Sequence, residues 1–247
     1  DVLIVGGGAS GVSAALQAAR LGSKVLVVEE TSWLGGMLTA AGVSAIDGNH
    51  RMPSGIWGEF RTELYAYYGG PKAVETGWVS NTLFEPSVGN RLLKKMVGAE
   101  KNIDVWYRST LLDLKKQAKG WTVAIEQEGK KKTVNASILV DATELGDLLP
   151  RAGVAYSIGM DSRYDTKEEF APEKANSIIQ DLTYVAILKD YGADPKRLLQ
   201  KPQGYDPKEF EHACDVKDPA SHSDTPIINC DQMITYGKLP NGKYMIN

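Results

Sequence analysis

The first thirty residues leave few folds open. A β-branched run, Val2-Leu-Ile-Val5, passes directly into Gly6-Gly7-Gly8-Ala9-Ser10-Gly11 and then into a helical stretch rich in small residues. A second apolar run, Lys24-Val-Leu-Val-Val28, ends on Glu29. Strand, glycine turn, helix and strand in this order form a βαβ unit, whose parallel strands commit the chain to an α/β sheet. Gly6, Gly8 and Gly11 satisfy G-x-G-x-x-G, each for a mechanical reason. The first allows a tight turn out of the strand, the second lets a pyrophosphate approach bare backbone, and the third lets the helix lie close to the strand. The helix start at Ala9 and Ser10 offers N–H groups and a partial positive charge to phosphates.

Glu29 makes the motif specific. It lies 18 residues after Gly11, where an adenosine ribose is expected. A carboxylate accepting both ribose hydroxyls forms charge-assisted bonds worth about 1.5–3 kcal/mol each. The same charge, with Glu30 beside it, disfavours a cofactor carrying a 2′-phosphate. A glycine-rich turn without ligand is the bland alternative, and the complete βαβ pattern argues against it. An adenine dinucleotide is the expected ligand.

Composition excludes other classes. The 247 residues carry 28 basic and 31 acidic side chains, for a net charge of −3, which is unlike the basic field of a nucleic-acid binder. The densest positive run, Lys130-Lys131-Lys132, reads as a solvated hairpin tip. No apolar run approaches the ~20 residues of a membrane span. The chain opens on Asp1 inside the first strand and closes in a strand barely begun after Pro240-Asn-Gly242, so a fragment of a longer, N-terminally trimmed polypeptide is expected. Compartment stays open, with the cytoplasm as the default and export compatible with the trimmed start. Cys214 and Cys230, the only cysteines, suggest neither a disulfide framework nor a C-x-x-C motif.

Along the chain, strands are expected at residues 2–6 and 24–29 and a helix at 10–21. An irregular glycine-rich stretch covers 31–54, and helices cover 55–68 and 87–98. Short strands at about 103–108, 110–115, 121–127 and 131–135 suggest a small antiparallel layer, followed by a buried strand at 137–140. A further strand is expected at 182–188. The pattern changes near residue 160, where charged, proline-punctuated stretches begin, and a domain boundary is expected there.

Three motifs together resemble FAD-dependent oxidoreductases of the glutathione-reductase-like and fumarate-reductase-like superfamily. They are the opening glycine motif with Glu29, the run Gly35-Gly36-Met37-Leu38-Thr39, and Val140-Asp141-Ala142-Thr143-x-x-Gly146-Asp147. Phe84-Glu85-Pro86 and Ala152-Gly153 to Gly159 extend the likeness to about residue 190. The resemblance implies a Rossmann-like FAD-binding domain at 1–160, with a helical insertion at about 46–100 and a β-meander at about 103–135. Residues 161–247 would be part of a substrate or cap domain. It also implies that Gly35 and Gly36 bring amides to the pyrophosphate, that Leu38 to Gly42 run past the flavin, and that the Leu111 backbone meets the adenine. Ala142, Thr143, Gly146 and Asp147 would contact the dinucleotide. For Asp147, a plain helix-capping role is the alternative.

Departures from the family pattern inform as well. Disulfide reductases carry Cys-x4-Cys after the glycine pair, where this chain reads Met37-Leu-Thr-Ala-Ala-Gly42, so dithiol chemistry at the flavin is not expected. His50 does not match the histidine that fumarate-reductase-type enzymes link to flavin, which implies non-covalent FAD. The glycine segment that closes over the flavin ring is missing, which implies weak binding or an incomplete site. The expected reaction is hydride transfer between flavin and a small organic substrate. Two other readings stay open: a lyase, hydratase or sulfur-transfer enzyme without net redox turnover, and a flavin-binding subunit of a larger assembly. For catalysis, His50 and Arg51 are the candidates, since a histidine exchanges protons near neutrality; a surface pair is the alternative. Trp57, Phe60, Leu64 and Tyr65 read as a packing face, with Glu59 and Arg61 solvated. His212, Cys214, His222 and Cys230 lack zinc-ligand spacing, and no metal is expected. Substrate identity, electron acceptor and oligomeric state are not legible.

Overall fold

The computed structural model describes residues 1–48, 50–197, 200–211, 213–215 and 229–246. Two compact units emerge, Asp1–Ala41 with Leu93–Tyr184, and Gly42–Leu92 with Val185–Asn247. This division differs from the expected border near 160. Most of the stretch expected as an insertion, 46–100, groups with the C-terminal residues.

In the first unit, β1 (Val2–Val5) feeds α1 (Ala9–Arg20), which returns to β2 (Val25–Val28). Both strands pair in parallel, Val2 opposite Val25 and Val5 opposite Val28. The strand β3 (Ile103–Trp106) joins β2, also in parallel. Here the expectation fails. Residues 103–106 extend the parallel sheet, and the antiparallel layer holds only β4 (Ser109–Lys116), β5 (Trp121–Gln127) and β6 (Lys130–Ala136). The strand β7 (Ile138–Asp141) completes the parallel sheet on the far side of β1, giving the order β3-β2-β1-β7. The fold is α/β, a Rossmann-like parallel sheet with a small antiparallel meander.

β1 shows why this sheet is central. All four of its residues are buried, and they alternate between two cores. Leu3 and Val5 cluster with Leu111, Leu114, Val123 and Ile125 of the meander. Val2 and Ile4 cluster with Ala15 and Ala19 of α1. A strand covered on both faces needs a continuous apolar run, which is what residues 2–5 supply. The alanines of α1 keep the helix close to the sheet.

In the second unit, α2 (Gly55–Tyr68) buries Phe60 and Leu64, with Phe60 edge-on to Phe84. Arg61, expected in solvent, is only 8% exposed. Its guanidinium lies against the Trp57 and Tyr65 rings and donates to the Met52 carbonyl at 2.8 Å. The aromatic neighbours one turn to either side explain the burial, since a guanidinium stacks on rings where an ammonium stays hydrated. The helix α3 (Pro86–Gly98) follows; its residues from Leu93 belong to the first unit.

A three-stranded antiparallel sheet is built from β8 (Ala186–Lys189), β9 (Lys238–Leu239) and β10 (Lys243–Ile246), in the order β8-β10-β9. The strand expected at 182–188 thus begins four residues later. Between β9 and β10, Asn241 takes a left-handed conformation at φ 63°. Glu85, one residue before α3, accepts from Asn241 Nδ2 at 2.9 Å, from Tyr68 Oη at 3.2 Å and from Lys243 Nζ. Cys214 and Cys230 are joined in a disulfide, contrary to the sequence reading, because the fold brings their Cα atoms to 5.0 Å.

Candidate cofactor crevice

β1, β2 and β7 all end at one edge of the parallel sheet, which is where ligands bind in open α/β folds. Gly6, Glu29 and Ala142 follow the three strands directly. A crevice of about 280 Å³ opens there, lined by Gly6, Gly7, Gly8, Glu29, Glu30, Thr31, Gly36, Ser109, Leu111, Ala142, Thr143, Glu144, Leu145 and Asp147, with Val5 and Val28 at its base.

The three motif glycines are separable by what surrounds them. Gly6 has φ +102°, and a Cβ there would sit 2.1 Å from the Ala142 carbonyl oxygen. A Cβ on Gly11 would sit 1.9 Å from the Gly6 oxygen. Packing alone therefore demands glycine at both positions. Gly8 differs, with an ordinary φ of −66° and nothing within 4 Å of its would-be Cβ. Neither backbone strain nor protein packing demands glycine at Gly8, and the open space beside it faces the crevice. This is the cradle that a diphosphate would fill. The N-terminus of α1 lies alongside, with no acidic residue in its first turn and no side-chain cap competing for its amides.

Glu29 is buried, and its two oxygens are aimed by backbone amides. Oε2 accepts from Gly7 N at 2.7 Å and Oε1 from Thr31 N at 2.8 Å. Each oxygen keeps a second lone pair, so the carboxylate is oriented yet still able to accept from a ribose diol. Gly7, the unremarked residue inside the motif, is thus a support the sequence reading missed. Its amide holds the acid on the neighbouring strand.

Asp141 organises the third wall. Oδ1 accepts from Thr143 N at 3.0 Å and Thr143 Oγ1 at 2.7 Å, and Oδ2 accepts from Leu148 N at 3.0 Å. Asp147 begins the short helix α4 (Leu148–Arg151) and makes no side-chain capping bond; Asp141 supplies the bond to that helix instead. Asp147 lines the crevice, and its carboxylate serves no cap.

The remaining expected residues are spread around this centre. Gly35 is bonded back to the glycine turn, its N–H donating to the Gly7 oxygen at 2.8 Å. Gly36 to Leu38 form one 3-10 turn, held by Thr39 Oγ1 donating to the Leu34 carbonyl at 2.6 Å. Met37 is 52% exposed. Ala9, Ser10, Gly35, Met37, Leu38, Thr39 and Gly146 do not line the crevice itself. His50 and Arg51 belong to the second unit. His50 Nδ1 lies 3.3 Å from the Asn81 amide nitrogen, and Arg51 is exposed. His212 and His222 lie outside the described residues.

A family model described as FAD dependent oxidoreductase matches residues 1–247. The chain belongs to that family. No curated protein matches it. Among solved structures, it is similar to L-proline dehydrogenase from P. horikoshii at 20% identity and a TM-score of 0.38, over 66% of this chain and 23% of that one. It is similar to OxyS anhydrotetracycline hydroxylase from Streptomyces rimosus at 16% identity and a TM-score of 0.46, over 66% and 35%. A flavoprotein/dehydrogenase from Cytophaga hutchinsonii matches at 19% identity and a TM-score of 0.43, over 65% and 44%. The matched region is thus less than half the length of each of these proteins. The donor set of the crevice, bare amides beside an oriented acid, fits the ADP moiety of FAD.

Proposed function

We propose that the chain is the cofactor-binding part of an FAD-dependent oxidoreductase that acts on a small organic substrate and holds FAD without a covalent link. The observation that carries this reading is the open space at Gly8, a position where only a ligand requires glycine, next to the oriented Glu29. Glu29 would accept the ribose hydroxyls. The amides of Gly8, Ala9, Ser10 and Gly36 would face the diphosphate, and Leu111 would border the adenine. Asp147 and Thr143 would order the water around the phosphates, and Leu38 and Thr39, the first of the residues expected to run past the flavin, would border it. When bound, FAD supplies hydride chemistry at the N5 atom of its flavin.

His50 is the candidate for proton exchange with the substrate, and Arg51 for holding an anionic group of it. If the Asn81 amide donates to His50 Nδ1, the neutral ring carries its proton on Nε2 and can donate it outward. Incubation of the purified protein with FAD, followed by desalting, should leave a flavin absorbance spectrum, and denaturation should release all of the flavin into the filtrate. A protein that stays colourless sinks the cofactor reading; flavin retained on the denatured chain sinks the non-covalent one.

A further inference from the structure

We propose that Lys94 is a positioning residue for the adenosine end of the crevice, pinning the loop that follows Glu29 against the connection between β3 and β4. The proposal rests on the cofactor reading above. Lys94 projects from α3 and donates from Nζ to the Ser32 carbonyl at 2.6 Å. The same ammonium lies 4.6 Å from the centroid of the Tyr107 ring.

These two contacts join the segments that carry the lining residues Thr31 and Ser109. Backbone bonds already link them as far as Thr31, with Ser109 N donating to the Glu29 oxygen and Arg108 N to the Thr31 oxygen, both at 3.0 Å. Lys94 adds a further link at the next residue, Ser32. Its neighbour Leu93 packs on Gly35, where a Cβ would lie 2.7 Å from Leu93 Cδ1. Two adjacent residues of α3 therefore support both ends of the segment 32–35, which leads from the acid to the glycine pair.

The consequence runs through Thr31, whose amide aims Glu29 Oε1. If Ser32 is released, Thr31 keeps its bonds from Arg108 and to Trp33. The carboxylate, still held at Oε2 by Gly7, is then aimed less firmly at Oε1. Charge adds to this. Burial, and then the nearby Glu29 charge, push the Tyr107 phenol above its ordinary value, so the ring that Lys94 faces lies within the field of the acid.

The test is calorimetric titration of the full chain with ADP, FAD and FMN, comparing wild type with Lys94→Met, Lys94→Arg and Tyr107→Leu. The expected result is about tenfold weaker ADP and FAD binding in Lys94→Met. FMN, which lacks the adenosine half, should bind as it does to wild type, and the melting temperature should hold to within about 3 °C. Lys94→Arg should recover most of the ADP affinity, since arginine keeps both the donor and the ring contact. If Lys94→Met binds ADP like wild type, or loses ADP and FMN in parallel, the positioning role is overturned while the cofactor reading stands. A wild type that binds neither ADP nor FAD overturns both. Should Lys94→Met fail to fold, Tyr107→Leu carries the same comparison.

Discussion

Gly8 and Gly11 stand three residues apart in one motif and answer to opposite constraints. A methyl group at Gly11 meets the Gly6 oxygen at 1.9 Å, so Gly11→Ala must push α1 off β1. Overpacking of this kind costs about 1–3 kcal/mol. At Gly8 a methyl group meets no protein atom within 4 Å, so Gly8→Ala should cost only the N-cap preference of α1, about 1 kcal/mol or less. Bulk there occupies the diphosphate cradle instead. Gly8→Val is therefore expected to melt lower by no more than the cost of a lost N-cap, about 1 kcal/mol, yet to lose FAD binding, whereas Gly11→Ala melts lower from overpacking. Thermal denaturation beside flavin titration reads both, and a Gly8→Val protein that retains wild-type FAD affinity would falsify the cradle assignment. Residue type and spacing made these positions legible from sequence, because the motif encodes a turn as well as a ligand. Gly7 and Lys94 were not legible. Gly7 acts through its backbone amide, with a Cβ there 2.8 Å from Glu29 Oε2, a contact no motif records; Lys94 lies 62 residues from the carbonyl it holds.

At the scale of elements, the Glu85 cluster ties the start of α3 to the turn before β10. Burial pulls the carboxyl of Glu85 upward, but the bonds from Lys243 and Asn241 outweigh it, and the net effect holds the group below its ordinary value. A carboxylate depressed in the folded state contributes stability that is fully present above its unfolded value, about 4.3. That stability is lost as pH falls through the folded value. The melting temperature should therefore decline on acidification below about pH 4.3, and Glu85→Gln should flatten this contribution while lowering stability at neutral pH by about 1.5–3 kcal/mol. A Glu85→Gln melt that matches wild type at every pH would count against the cluster. The disulfide acts on the same unit by a different route. Cys214 and Cys230 are separated by 16 residues, and closing a loop of that length restricts the unfolded chain by about 3 kcal/mol in the entropic account. A dithiol reductant should lower the melting temperature of the wild type and leave Cys214→Ser/Cys230→Ser unaffected. Sequence spacing did not reveal this pair, since sixteen residues match no motif and proximity comes from folding.

Across the whole molecule, the legible parts are those with local causes. The βαβ opening, the helix at 55–68 and the turn at 240–242 each follow from periodicity or turn chemistry within a few residues. The misplacements involve partners distant in sequence. Residues 103–106 resemble the strands after them, yet they pair in parallel with β2, 78 residues earlier in the chain. The compact units are likewise assembled from separated segments, which no local composition change announces. This division bears on catalysis. The crevice belongs to the first unit and His50 to the second, and substitutions at the two places report on different steps, cofactor binding and proton exchange. His50→Gln is expected to bind FAD with wild-type affinity and to melt normally, since a half-buried ring with one long hydrogen bond contributes little to stability. If His50 exchanges a proton with substrate, turnover of the complete protein should fall by about 100-fold or more, and the loss should shrink where pH or an added imidazole supplies the proton. Glu29→Gln should show the reverse pattern, weaker FAD binding with turnover restored at saturating cofactor. Unchanged turnover in His50→Gln at saturating substrate would return His50 to the surface and leave the proton to another residue.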